Sequence, residues 1–197
     1  MPLGANKAAI MGVAGVSTGD VVLLSTQTAS DDASIDFTSG ITSTYGEYIF
    51  GLYSIHPETD RANFGFQCNV AGQSGFNETI TSIAFRGYHY EDDGDAAVQY
   101  LTAADQAQGT ALQQSIIDLT SDNDGSGAGF LHLFNPSSTT YVKHFMSRAV
   151  NNSDHPSIHD QFMAGYVNVT GAIDEVQFKM STGNMNGTIK MWGKKAG

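Results

Sequence analysis

An all-β fold is what this sequence predicts: an antiparallel β-sandwich of about ten strands with an extended amino-terminal arm. Three observations carry that expectation. Short apolar runs alternate with polar residues at a period of two, as in a strand with one buried and one wet face. Glycine is plentiful, 22 residues against 4 prolines, and falls between those runs, where many turns are needed. Hydrophobic residues make up 41% of the 197, enough for one sizeable core and too many for a disordered chain.

Strand candidates follow one another from residue 21. The first are residues 21–24 and 34–37, the second ending at Ser39-Gly40. Residues 45–53 place Tyr48, Phe50 and Leu52 on one face, and 64–70 alternate Phe64, Phe66, Cys68 and Val70. Residues 79–90 are β-branched and aromatic and run into the acidic turn 91–95; 98–101 add a short strand. Later candidates are 130–134, 140–145 and 162–169. The chain closes on two strands joined by a glycine- and asparagine-rich turn, 181–187. Val176, Phe178 and Met180 share one face of the first, and Ile189 and Met191 one face of the second. Those two strands read as a terminal hairpin forming an amphipathic sheet edge, with Trp192 opposite the core residues. Residues 103–119 read as strand or as helix: Leu112, Ile116 and Leu119 fit a helical stripe that Gly109 interrupts. Residues 1–18 are small and apolar with no period, and form an arm ahead of a single domain over 19–197.

Composition excludes several functions. The net charge is −11 with no compensating Lys/Arg cluster, which repels phosphate backbones and anionic membranes, so neither nucleic acid nor membrane is an expected partner. No stretch reaches the roughly 20 apolar residues that span a bilayer. The amino terminus lacks a basic region and an unbroken apolar run, so no signal peptide is expected. The single Cys68 forms no disulfide within the chain and reads as a buried, inert thiol.

No motif carries chemistry. Thr120-Ser-Asp-Asn-Asp-Gly125 has Thr120 and Leu131 where a calcium loop needs its first Asp and its bidentate Glu, and reads as a solvated turn. His155 and His159 have ligand spacing, but Pro156 argues against a helix and no Glu stands between them. His132 and His144 supply too few ligands for a metal. No nucleophile elbow and no phosphate loop occurs. We therefore expect no catalytic residue, no metal and no cofactor. The aromatics Tyr45, Tyr53, Tyr88, Tyr90 and Trp192 read as partly exposed strand residues suited to an interface or to stacking on sugar rings.

Four segments resemble virion structural proteins of marine tailed bacteriophages. They are Met-Pro-Leu-Gly-Ala-Asn-Lys-Ala-Ala-Ile-Met-Gly at the start, Ser-Gly-Phe-Asn-Glu-Thr-Ile-Thr-Ser at 74–82, Leu-His-Leu-Phe-Asn-Pro-Ser-Ser-Thr-Thr-Tyr-Val-Lys-His-Phe at 131–145, and Gly-Thr-Ile-Lys-Met-Trp-Gly at 187–193. The resemblance implies a jelly-roll-like sandwich that is part of the particle, on the capsid surface or in the tail. It implies a protein made in the host cytoplasm and located in the virion. Fibre-like repeats are absent, which favours a compact knob or decoration. The expected partners are further copies of the chain, a trimer being favoured, and other virion proteins. Leu3, Ile10, Val13 and Val16 of the arm and Trp192 are the candidate attachment residues. The alternative is a carbohydrate-binding module of a fibre or spike that stacks host-surface glycan on Tyr88 and Tyr90.

Overall fold

The computed structural model describes residues 20–195. The arm residues Leu3, Ile10, Val13 and Val16 lie outside the described residues. The described chain is all β, with thirteen strands and no helix. In order they are β1 (Val21–Asp32), β2 (Ile35–Phe37), β3 (Glu47–Pro57), β4 (Ala62–Val70), β5 (Ile80–Tyr90), β6 (Ala96–Tyr100) and β7 (Ala107–Gly109). There follow β8 (Gln113–Leu119), β9 (Gly127–Phe134), β10 (Lys143–Asn152), β11 (Ser157–Val167), β12 (Ile173–Met180) and β13 (Met185–Lys194).

Two antiparallel sheets face each other. The larger has nine strands in the order β1-β13-β3-β9-β10-β11-β5-β6, with β7 also on β5; the smaller has four in the order β2-β12-β4-β8. Between them lies a core of alternating residues from both inner faces, as a β-sandwich requires. Tyr48, Phe50 and Leu52 of β3, Leu131 and Leu133 of β9, and Ile189 and Met191 of β13 meet Phe64 and Phe66 of β4 and Val176 and Phe178 of β12. Phe178 is the hub, with its ring centroid 5.2 Å from Phe50, 5.8 Å from Phe64 and 6.1 Å from Phe37. Cys68 is wholly buried in this core and its thiol pKa is pushed up by burial and by the nearby Glu78 carboxylate.

The chain end corrects the sequence reading. β12 and β13 each have the expected alternation, but they do not form a hairpin. β12 pairs with β2 and β4 in the small sheet, while β13 lies between β1 and β3 in the large one. Residues 181–184 carry the chain from one sheet to the other, with Gly183 at φ +71°. The apolar faces of the two strands therefore oppose each other across the core instead of lying side by side. β13 is an interior strand, not a sheet edge.

Residues 103–119, which by sequence fit a strand or a helix, contain the strands β7 and β8, the latter ending with the core residues Ile116 and Leu119. Three further corrections follow. Tyr45 precedes β3 and packs half-buried against Gly193, where an added Cβ would come within 2.5 Å of its ring. β10 and β11 extend far beyond the expected 140–145 and 162–169 and pair over ten residues, Lys143↔Val167 to Asn152↔Ile158. β4, expected to have one wet face, is covered on both. Gln67 there is buried and donates through Nε2 to the carbonyls of Glu78, Thr110 and Ala111, while Oε1 accepts from the Cys68 N–H.

Candidate functional site

The first candidate is the outer face of the nine-stranded sheet. In β10 the buried positions are Lys143, Phe145, Ser147, Ala149 and Asn151, and the outward ones His144, Met146, Arg148 and Val150. In β11, Ser157, His159 and Gln161 point inwards while Ile158 and Phe162 point out. Polarity is thus partly inverted over the second half of β10 and the first half of β11: Ser147, Asn151, Ser157, His159 and Gln161 lie inside, while Met146, Val150, Ile158 and Phe162 share the outer face with Arg148 and Asp160. A buried polar residue and a contiguous exposed apolar patch are the informative departures from ordinary globular surfaces.

The register shows how far the outer patch runs. One row crosses seven strands: Ile83, Ala164, Met146, His132, Ile49, Trp192 and Leu23 are successive cross-strand partners. Ile83 and Met146 are each 52% exposed and Leu23 51%, so half of each side chain faces water. The next row contains Phe85, Phe162, Arg148 and Phe130. Phe85 and Phe162 stack with centroids 5.0 Å apart, and the Arg148 guanidinium lies 4.8 Å above Phe162 while Asp160 holds it bidentately at 3.0 and 2.8 Å. Trp192 is half-buried because it lies flat on the sheet: a Cβ at Gly51 would come within 2.7 Å of its ring. Tyr53 stands beside it with Lys190 5.5 Å from its ring centroid.

Small residues leave hollows between these projections. Depressions of about 430, 470 and 340 Å³ open over Ala164, Gly87 and Ala128. A charged cluster borders the patch. Glu47 receives His132 Nδ1 at 2.7 Å and Lys194 Nζ at 2.9 Å. Burial works to raise the Glu47 carboxyl, and these two hydrogen bonds overcome it, leaving its pKa below the ordinary value.

The second candidate is a polar crevice where the large sheet overhangs the edge strand β8 of the small one. The inward face of β5 is core at Ile80 and Ala84, then continues past the small sheet as Arg86, Tyr88 and Tyr90. Arg86 is central: Nη1 donates to Asp118 Oδ2 at 3.1 Å and to His159 Nδ1 at 3.2 Å, while Nε and Nη2 both reach Gln99 Oε1. Cavities of about 280 and 160 Å³ flank this Arg86–Asp118 pair, and both residues line each of them.

The crevice brings a serine and a histidine into contact: His159 Nε2 lies 3.3 Å from Ser157 Oγ, and Arg86 Nη1 lies 3.2 Å from Nδ1 and 3.4 Å from Nε2 of the same ring. A guanidinium only donates, so the ring meets it as an acceptor. The Ser157 hydroxyl itself donates to the His155 carbonyl at 2.9 Å. Burial and the adjacent Arg86 charge lower the His159 pKa to about 4, which keeps the ring neutral. Deeper in, amides bind the free edge of β8: Ile117 N–H donates to Gln161 Oε1 at 3.0 Å, and Asn151 Nδ2 donates to the Ile117 carbonyl at 3.2 Å. The inward polar residues of β10 and β11 thus satisfy an otherwise unpaired strand edge.

The structure brings Tyr88 and Tyr90 together, with ring centroids 5.6 Å apart. Tyr88 is tied down by donating its hydroxyl to Asp95 Oδ2 at 2.8 Å, a bond that raises its pKa, whereas Tyr90 lines the smaller cavity. Arg86 and Asp118 were not singled out in the sequence, and His159 was weighed only as a metal ligand with His155. The signal for Asp118 is the broken alternation in Ile116-Ile117-Asp118-Leu119. His155 and His159 do not act as a ligand pair: His159 is inside and His155 lies in the turn, 62% exposed. Among the described residues, no group of three or more His, Cys, Asp or Glu is placed to hold a metal, and no helix is long and apolar enough to cross a membrane.

No protein-family model matches the chain, and no curated protein matches it. Among solved structures, a chain from the structure of infectious bursal disease virus, Gx strain, aligns at 12% identity with a TM-score of 0.13. The alignment covers 91% of this chain and 37% of that one. A likeness of that size carries no argument about fold or role.

Proposed function

We propose that this chain is a non-enzymatic building block of a tailed-bacteriophage virion, a capsid decoration or tail-associated protein whose copies meet through the outer face of the nine-stranded sheet. The observation that carries the reading is the inverted polarity of β10 and β11, which leaves Met146, Val150, Ile158 and Phe162 on the outside. The phage assignment rests on the sequence resemblance, and residues 1–18 are its attachment segment to the particle.

Charge favours a second copy as the occupant of this face. The chain has 9 basic and 20 acidic residues, and two such surfaces repel. Over β3, β5, β9, β10, β11 and β13 the outward charges are Arg148, Lys190 and Lys194 against Glu47 and Asp160, so this face meets its own copy without that penalty. Extent favours it too. Seven strands at about 4.8 Å and some six residues of strand length give a patch of about 600 Å², close to the roughly 800 Å² per partner of a standard interface. Projections such as Met146 and hollows such as that over Ala164 supply the complementary relief.

Light scattering on the purified chain tests the assembly. The expected result is a homo-oligomer: a dimer means that this face meets itself, and the trimer that the sequence resemblance favours means a ring in which it meets a different surface of the next copy. Ile83→Glu with Met146→Glu should yield a folded monomer. Trp192→Ala should weaken association about tenfold while shifting the melting temperature by only a few degrees. A wild-type chain that stays monomeric at high micromolar concentration overturns the interface. Absence of the chain from purified particles of the phage that encodes it overturns the virion role.

A further inference from the structure

We infer that the crevice between the sheets is a saccharide-binding site, in which a sugar ring stacks on Tyr90 and its hydroxyls bond to Arg61 and Asp118. This site lies on the inward side of the overhang and is separate from the outer sheet face, so it is independent of the assembly role.

Backbone geometry is the first argument. β8 has one residue more than β4 between the pairs Ala62↔Leu119 and Phe64↔Ile116. The resulting bulge places Asp118 at φ +55°, and Arg61, whose N–H bonds the Leu119 carbonyl, lies at φ +60°. Left-handed backbone at a residue other than glycine is strained, because Cβ crowds the following carbonyl oxygen. Bulges beside functional sites redirect side chains, and this one breaks the alternation: Ile116 and Leu119 join the main core, Ile117 joins the smaller cluster with Ala84 and Met163, and Asp118 looks into the crevice. Both residues in this conformation line the smaller cavity.

The lining is the second argument. Sugars are recognised by planar side chains that donate and accept towards neighbouring hydroxyls, and by aromatic faces against their C–H surfaces. The crevice supplies both. Asp118 engages Arg86 through Oδ2 only, with Oδ1 as a further acceptor. Arg86 is held by Asp118, His159 and Gln99, so it is oriented before any ligand arrives. Tyr90 lines the smaller cavity and Tyr100 the larger, placing an aromatic ring at each end of a polar floor. The Arg86–Asp118 pair stands between the two cavities, and the proposed ring occupies the smaller, of about 160 Å³, which Arg61, Tyr90 and Asp118 line.

The test uses the intact chain on an array of neutral and uronic-acid-bearing oligosaccharides, with hits titrated calorimetrically. The expected result is binding of at least one structure, weakened tenfold or more by Tyr90→Ala and by Asp118→Asn. Tyr90→Ala leaves the Arg86–Asp118 pair intact, so it remains informative if Asp118→Asn fails to fold. Preference for the uronic acids would place Arg61 on a carboxylate; preference for neutral sugars would place Asp118 on hydroxyls. Both outcomes support the site. No binding by the wild type, or binding that both variants retain unchanged, overturns it. Neither variant should alter the oligomeric state, which distinguishes failure here from failure of the assembly reading.

Discussion

Replacing Phe178 by alanine is expected to lower the unfolding free energy by about 4 kcal/mol, measured by urea denaturation. Phe178 is fully buried on β12, and its ring meets Phe37, Phe50, Phe64 and Phe66 at centroid distances of 6.1, 5.2, 5.8 and 6.3 Å. Phe50 belongs to the large sheet and Phe64 to the small one, so this side chain fills the space between layers. Its neighbours sit on two sheets whose backbones are fixed by their own ladders and cannot collapse into the void, which puts the loss at the upper part of the usual range for a core phenylalanine. Phe178→Leu, which keeps most of the volume, is expected to cost about 1.5 kcal/mol. Domains of this kind are stable by about 5–15 kcal/mol, so the alanine variant should also melt many degrees lower. A loss under about 1 kcal/mol would show that Phe178 is not the hub of the core.

Acid should destabilise the protein through His159 before its carboxylates begin to titrate. The ring is 4% exposed and lies 3.2 Å from a guanidinium, and its pKa falls from 6.5 to about 4. The unfolded chain therefore takes up this proton near pH 6.5, while the folded one does so only near pH 4. Between those values the unfolded state binds more protons, and stability falls as pH falls, with a slope approaching 1.4 kcal/mol per pH unit and a total of about 3 kcal/mol. Below pH 4 both states are protonated and this contribution changes no further. The groups facing the ring are Arg86, Asp118, Ser157, His155 and Tyr88. His159→Gln keeps an acceptor for Arg86 and a donor for Ser157 and carries no titration, so its stability should be flat from pH 6.5 to 5. A wild-type profile as flat as that of the variant would refute the buried neutral histidine.

Legibility in the sequence followed the physical locality of each feature. β12 and β13 were readable because burial of a single face writes itself into the residue pattern, and β4 because its Phe64, Phe66, Cys68 and Val70 alternate even though its other face is covered too. The second half of β10 and the first half of β11 were not. There Ser147, Asn151, Ser157, His159 and Gln161 face inwards, and their burial is tolerated only because β8 and Arg86 supply partners distant in sequence. Read alone, Asn151-Asn-Ser-Asp-His155 resembles a loop. The crevice was illegible for the same reason: Arg61, Arg86, Asp118 and His159 come from four separate strands or turns. Tyr88 and Tyr90, two residues apart on one strand, could be paired in advance because a strand puts such residues on one face.

By itself the sequence determined that the chain is an all-β sandwich, where most of its strands lie, and which face of β4, β12 and β13 meets the core. Those follow from short-range periodicity and from the burial that the apolar residues demand. Only the tertiary structure decided which strands are neighbours. β12 and β13 follow each other in the chain yet enter different sheets, because pairing with β2 and β4 on one side and β1 and β3 on the other places Phe178 and Met191 across one core. It likewise decided that Trp192 lies flat over Gly51 on a broad apolar face. A period of two fixes the direction of a side chain, and partners are set by contacts between residues far apart in the chain.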